Sequence, residues 1–299
     1  MGTGALYATE PARGWLPWVA LSPVLAILFV AIPLLAISMV LERLSLADAG
    51  GEPIGYPGLV AFLLLPFGAI ALVVLAWVHF VERRSLATLG LAAGGGRGAY
   101  PRGIDGGVAT SLSVVVAIFL AGGFIATGSA PAFRSATALL QIAALLACFV
   151  VQAGAEEILF RGWLLSALDR KANRFVAVCI TCAVFAFLHY GPHQHWLMTL
   201  NMVLYSAFAC CLAIHANHIW GVMGWHTGWN WLLATGFELP VTGVDVHLPA
   251  LVASMLPSGS ILLTGGAEGP EGSMLCSLFF VLGIVFLCWR IAGRRPVFR

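Results

Sequence analysis

The sequence predicts an all-α membrane protein, a polytopic bundle of about eight transmembrane helices, and three observations carry that prediction. Sixty percent of the 299 residues are hydrophobic and 9% are charged, which leaves too little polar material to cover a soluble domain. Mean hydropathy is +0.95. Apolar stretches of about 20 residues, the length that crosses a ~30 Å hydrocarbon core, recur from end to end rather than in one anchor. Residues 1–299 therefore read as a single integral membrane domain.

The first span, 15–41, follows a weak basic region holding only Arg13 and contains Pro17, Pro23 and Pro33. It is much longer than a signal-peptide core and reads as a retained span. Spans at 58–81 and 104–126 follow, joined by a segment in which Gly94 to Gly98 and Pro101 suggest a flexible connector. The next four spans are 136–168, 172–190, 196–214 and 218–237, the last two parted only by the polar break Ile214 to His218. The eighth, 273–291, comes after the longest connection, Glu238 to Gly272. The glycines of Thr264 to Ser273 suggest a loop or short hairpin bent back over the bundle. That run lacks the lysine and preceding strand of a phosphate-binding loop, so it is assigned structure and not chemistry.

Basic residues set the orientation. Arg13, Arg83, Arg84, Arg97, Arg102, Arg170, Lys171, Arg174, Arg290, Arg294, Arg295 and Arg299 fall on one face, and only Arg43 and Arg134 on the other. Both termini are therefore expected in the cytoplasm of a multi-pass protein of the cell inner membrane. A net charge of +2 gives no argument for a nucleic-acid partner. Cys179 and Cys182, and the adjacent Cys210 and Cys211, lie inside apolar helices and read as small buried hydrophobes rather than a redox or metal pair.

Ionisable groups at membrane depth are costly and usually serve a pathway, a switch or a catalytic site. The fourth stretch holds Glu156, Glu157 and Arg161. Glu157 and Arg161 are four residues apart on one helical face and can form an ion pair, while Glu156 points about 100° away and is left over. The next span ends with Phe185 and His189 on one face, and the seventh carries His226 and Asn230, again one turn apart. Counting a rise of about 1.5 Å per residue from the turns near Arg170 and Asn217, Glu156 lies roughly 21 Å up, His189 roughly 28 Å, and His226 and Asn230 roughly 14 and 20 Å. The groups share one slab, and residues 136–236 form the core helices that carry them.

Glu156-Glu157-x-x-x-Arg161, Phe185-x-x-x-His189 and His226-x-x-x-Asn230, in that order on successive apolar helices, resemble the three-motif signature of the CAAX prenyl protease and bacteriocin-processing (CPBP, or ABI) family of intramembrane endopeptidases. The segment Glu82 to Leu91 also looks like a common way into that family's core. The resemblance implies cleavage of a membrane-associated peptide or protein, including prenylated CAAX-like substrates. Glu156 and His189 would hold and activate a water, Glu157 and Arg161 would support the site, and His226 with Asn230 would stabilise the oxyanion. The chemistry is sound on its own terms: a positioned carboxylate can take a proton from water and return it to the leaving amine. Paired donors at a developing oxyanion lower the barrier further.

The family includes members described as metalloendopeptidases, and Glu156, His189 and His226 could be written as Zn2+ ligands. Zinc hydrolases usually draw two ligands from one local motif such as HExxH, which is lacking, so no cofactor is expected and zinc stands as the alternative. His79, His215, His218 and His247 read as interfacial, and His193 and His195 as part of an exposed turn. Trp196, Trp220, Trp225, Trp229 and Trp231 read as interfacial belts or bundle packing, with substrate contact by Trp229 an outside alternative. Two other functions fit an intramembrane Glu, His and Arg set: a proton-coupled transporter, and a scaffold or immunity protein without chemistry. Against the first stands the lack of an inverted repeat or broken-helix pair.

Overall fold

The computed structural model describes residues 6–8 and 10–293. Arg294, Arg295 and Arg299 of the basic set lie outside them. Each expected span corresponds to a helical rod: α1 (Ser22–Arg43), α2 (Gly55–Ala76), α3 (Ala93–Leu120), α4 (Ala136–Glu157), α6 (Arg174–Leu188), α7 (Trp196–Ala216), α8 (Trp220–Gly236) and α10 (Met274–Ala292). A π-helical turn, Trp77–Glu82, prolongs α2, and a second, Ile158–Leu164, joins α4 to the short α5 (Leu165–Lys171). Two strands, β1 (Phe124–Ser129) and β2 (Ala253–Pro257), and one helical turn, α9 (Ile261–Thr264), complete the elements used below.

Among the described residues six helices are long and apolar enough to cross a membrane, short of the expected eight. The other two rods, α6 and α8, have 15 and 17 residues. Most of α8 is buried by its neighbours, so protein rather than lipid is its surrounding. The outer helices show the reverse. Ile32 and Leu35 of α1 and Leu282, Val285 and Trp289 of α10 are more than half exposed, and only a lipid environment favours such surfaces. The chain is an integral, multi-pass membrane protein.

Three other expectations are corrected. Residues 15–21 do not join the first helix: Gly14 and Trp15 donate their backbone N–H groups to the carbonyls of Glu82 and Val81, and α1 starts at Ser22 with Pro23 in its first turn, where a missing N–H costs nothing. The segment 124–126 is strand, because Gly122 at φ +80° ends the helical run and β1 then pairs antiparallel with β2, Phe124 opposite Pro257 and Ser129 opposite Ala253. The third concerns the glycine-rich connector before span three, which is helix. In α3, Gly103 and Gly107 stand four apart and face Gly221, Gly224 and Gly228 of α8. A Cβ on Gly107 would overlap the Trp225 carbonyl, and one on Gly228 the Ile104 carbonyl. The glycines let two backbones touch, which is what small residues at fourfold spacing do in membrane helices.

The long connection before α10 does bend back over the bundle. It makes a tight turn in which Val241 bridges Val244, then runs through β2 and α9. Inside, Tyr205 and Phe208 of α7, Trp225 and Trp229 of α8 and Phe280 of α10 form a packed aromatic core. This core fixes α8 against α7 and α10 and so sets where His226 and Asn230 point.

Candidate active site

Glu156 and Glu157 close α4, and Arg161 lies in the π-helical turn that follows, a helix variant often found at functional positions. The anticipated ion pair forms, with Arg161 Nη1 3.0 Å from Glu157 Oε1 and neither side chain exposed. Two more donors reach that same oxygen: Tyr205 OH from α7 at 3.0 Å and His226 Nδ1 from α8 at 2.9 Å. One carboxylate oxygen thus ties three helical segments together. The Arg161 guanidinium lies over the Phe185 and Tyr205 rings, 4.8 and 5.2 Å from their centroids. These π-faces stand where Nε and Nη2 have no hydrogen-bond acceptor among the described residues.

Glu156 is held differently, and the expectation that it is left over is corrected. Gln152, one turn earlier on α4, donates Nε2 to Glu156 Oε1 at 2.7 Å, and Asn230 Nδ2 donates to Gln152 Oε1 at 3.0 Å. The other oxygen, Oε2, faces two imidazoles, with His189 Nε2 and His226 Nε2 each 3.9 Å away. Each ring is fixed from behind. His189 Nδ1 donates to the Phe185 carbonyl at 2.9 Å while its ring stacks on Phe185, and His226 Nδ1 is held by Glu157. Both Nε2 atoms are therefore turned toward Glu156.

These groups line one cavity of about 30 Å³, together with Phe185, Met202, Thr242 and Glu271. The structure brings Glu156, His189, His226 and Asn230 together there, with Glu157 and Arg161 directly behind. A second, largely apolar cavity of about 210 Å³ shares Gln152, Glu156, His189, Asn230 and Thr242 with it, and is walled by Phe62, Phe67, Phe149 and the valines of the 241–246 turn.

Three contributors escaped the sequence reading. Gln152 carried a usable signal, since it is a polar residue four before Glu156 in an apolar helix. Tyr205 carried none, being one aromatic among many. Glu271 belongs to the loop assigned to structure alone, yet it is 5% exposed and lies in the cavity wall. It accepts from Trp229 Nε1 at 2.7 Å and from the backbone and hydroxyl of Thr242, both at 2.7 Å. Trp229 is fully buried by this bond and its ring neighbours, so the alternative of substrate contact is corrected to packing. His195 caps the start of α7, accepting from the Leu197 N–H at 3.3 Å. Of the cysteines, Cys182, Cys210 and Cys211 are buried as expected, whereas Cys179 is exposed on the outer side of its helix.

The donor types of Glu156, His189 and His226 suit zinc; among the described residues no group of three or more His, Cys, Asp or Glu side chains is drawn close enough to hold a metal ion as it stands.

Carboxylate, imidazole and carboxamide groups thus converge on one cavity of a polytopic helical membrane protein. Residues 138–232, which carry all three motifs, match the family model described as type II CAAX prenyl endopeptidase Rce1-like. The resemblance to the CPBP family seen in the motifs thus holds across the motif-bearing helices. No curated protein and no solved structure matches the chain.

Proposed function

We propose that the protein is an intramembrane endopeptidase in which Glu156 and His189 activate a water against a peptide carbonyl. The observation that carries this reading is the geometry at Glu156 Oε2, which faces the Nε2 atoms of both His189 and His226 at 3.9 Å. With Nδ1–H of His189 bound to a carbonyl, its Nε2 is a lone-pair acceptor, and so is the carboxylate. Two acceptors set too far apart for a direct bond are both satisfied by a single water donating one hydrogen to each. A cavity of about 30 Å³ has room for that water.

Proton transfer from that water to Glu156 generates the nucleophile, and Glu156 returns the proton to the amine that leaves. Attack on the carbonyl carbon places negative charge on its oxygen. Asn230 offers a carboxamide N–H beside the cavity. His226 serves as the second donor, its Nδ1 held by Glu157 and its Nε2 turned inward. Two such donors in a water-poor site lower the barrier by several kcal/mol. Glu157 and Arg161 hold His226 in register and do not touch the substrate. The apolar cavity next door suits the side chains of an extended, membrane-associated peptide, since Phe62, Phe67 and Phe149 give it hydrophobic walls.

A zinc-dependent version is the second reading, favoured by one feature: each imidazole has its Nδ1 held by an oxygen acceptor, as zinc-ligating histidines do. The test is cleavage of a fluorogenic membrane-peptide library by purified protein in nanodiscs, comparing wild type with Glu156→Gln and His189→Ala, with and without a strong chelator. Loss of about 10³-fold or more in both variants, with wild-type cleavage kept under chelation, supports the glutamate mechanism. Loss under chelation restored by zinc supports the second reading, and unchanged turnover in both variants sinks the site.

A further inference from the structure

Glu271 is a buried carboxylate in the wall of the catalytic cavity, and the chemistry proposed above does not use it. Both of its oxygens are engaged, on two different segments. Oε1 takes the indole N–H of Trp229, the residue before Asn230 on α8, and Oε2 takes the backbone N–H and the hydroxyl of Thr242. The backbone beneath is equally fixed, since Asn201 of α7 donates to the carbonyls of Glu271 and Ser273 at 2.6 and 2.9 Å. Two residues earlier the chain presses on the start of the turn that Thr242 belongs to: a Cβ on Gly269 would overlap the Pro240 carbonyl. Glu271 is thus a rigid post between α8 and the 241–246 turn.

That turn needs holding. Thr242 and Gly243 both lie in the left-handed region, at φ +48° and +79°, between Val241 and Val244, whose backbones exchange hydrogen bonds of 3.0 and 2.9 Å. Glycine takes this conformation freely, whereas a β-branched threonine does not. Backbone strain of this kind persists only where the surroundings over-determine it, and two bonds from Thr242 to one carboxylate do so here. The turn is placed where its shape matters. Thr242 lines the catalytic cavity and the apolar one alike, and Val241, Val244 and Val246 wall the apolar cavity together with the phenylalanines of α2 and α4.

We propose that Glu271 is a positioning residue, and that the 241–246 turn it holds determines which substrate side chain fits beside the scissile bond. The inference rests on the peptidase reading above. Because Trp229 and Asn230 are adjacent, one carboxylate fixes the pocket wall and the oxyanion donor in a single frame. A substrate whose side chain fills the apolar cavity then has its carbonyl brought to Asn230. The charged groups of that cavity, Glu156 and His189, belong to its catalytic end, so the side chain it takes is apolar. A side chain that is too large meets valines held in place, and is admitted when they are trimmed or the turn is released.

The test is kcat/KM of the purified full chain in nanodiscs for pairs of membrane peptides that differ only in leucine or tryptophan at one of the two positions flanking the scissile bond. Wild type is compared with Glu271→Gln, with Thr242→Val and with the double variant Val244→Ala, Val246→Ala. The leucine-to-tryptophan ratio is the readout, because it does not depend on how much of a preparation is folded. A carboxamide has one acceptor oxygen where a carboxylate has two, and cannot hold both Trp229 and Thr242. Glu271→Gln should therefore lower the ratio at least about tenfold at one of the two positions, the double variant by as much or more, and Thr242→Val, which keeps the backbone bond, by less. Hydrogen exchange across 241–246 should also be faster in Glu271→Gln than in wild type. With wild type cleaving, a ratio unchanged in both Glu271→Gln and the double variant overturns this proposal and leaves the peptidase reading standing, whereas a wild type that cleaves no membrane peptide sinks that reading and this proposal with it. Exchange as slow in Glu271→Gln as in wild type overturns the positioning role of Glu271.

Discussion

Two glutamate–arginine pairs among the described residues are fully buried, and they are built for different ends. Glu157 and Arg161 lie 3.0 Å apart and Glu82 and Arg84 2.6 Å apart, with no side-chain exposure in either. Around Glu82 the remaining donors are the indoles of Trp77 and Trp163, at 3.0 and 2.7 Å, groups that do not titrate. Around Glu157 they are a phenol and an imidazole, and the imidazole carries its second nitrogen to within 3.9 Å of Glu156. The same ionic unit therefore acts as a brace in one place and as the backing of a reactive ring in the other. What separates the two is the third partner, not the pair.

Removing one arginine tests that contrast most severely. Arg161→Met and Arg84→Met should each lower stability by about 3–5 kcal/mol, the cost of leaving a buried carboxylate without its cation, read as a fall in unfolding temperature. Only Arg161→Met should also cut turnover per folded molecule, by at least about tenfold; Arg84→Met should keep it within about twofold. Equal losses of turnover would break the comparison. A smaller effect is expected at Gln152, which links Asn230 to Glu156. Gln152→Ala should reduce kcat by about 10-fold or more, with little change in KM, because it unseats the carboxylate without touching the apolar cavity. A KM effect alone would make Gln152 a substrate contact instead. The smallest pair is Tyr205→Phe against Trp77→Phe. Each removes one donor, worth about 0.5–1.5 kcal/mol of stability, and a change in the pH profile of cleavage should follow Tyr205→Phe alone.

Much of this was legible in order along the chain. Apolar runs located the helices because lipid demands length and hydrophobicity of each one separately. Glu157 with Arg161, Phe185 with His189 and His226 with Asn230 were legible as pairs because fourfold spacing fixes a shared helical face. Gly94 to Gly98 misled: they suggested a flexible connector, whereas they open α3, the helix whose Gly103 and Gly107 meet α8 backbone to backbone. Glu271 was illegible for a different reason: its partners, Trp229 and Thr242, stand 42 and 29 residues away, and no local pattern relates them.

By itself the sequence determined that the chain is helical, lives in the bilayer and places ionisable groups at depth, because each of those properties follows from the composition and periodicity of single segments. Tertiary structure alone decided that three donors share Glu157 Oε1 and that both imidazoles turn their Nε2 to Glu156. Those outcomes depend on the rotation of one helix against another, which close packing of glycine and aromatic surfaces fixes and no single segment encodes.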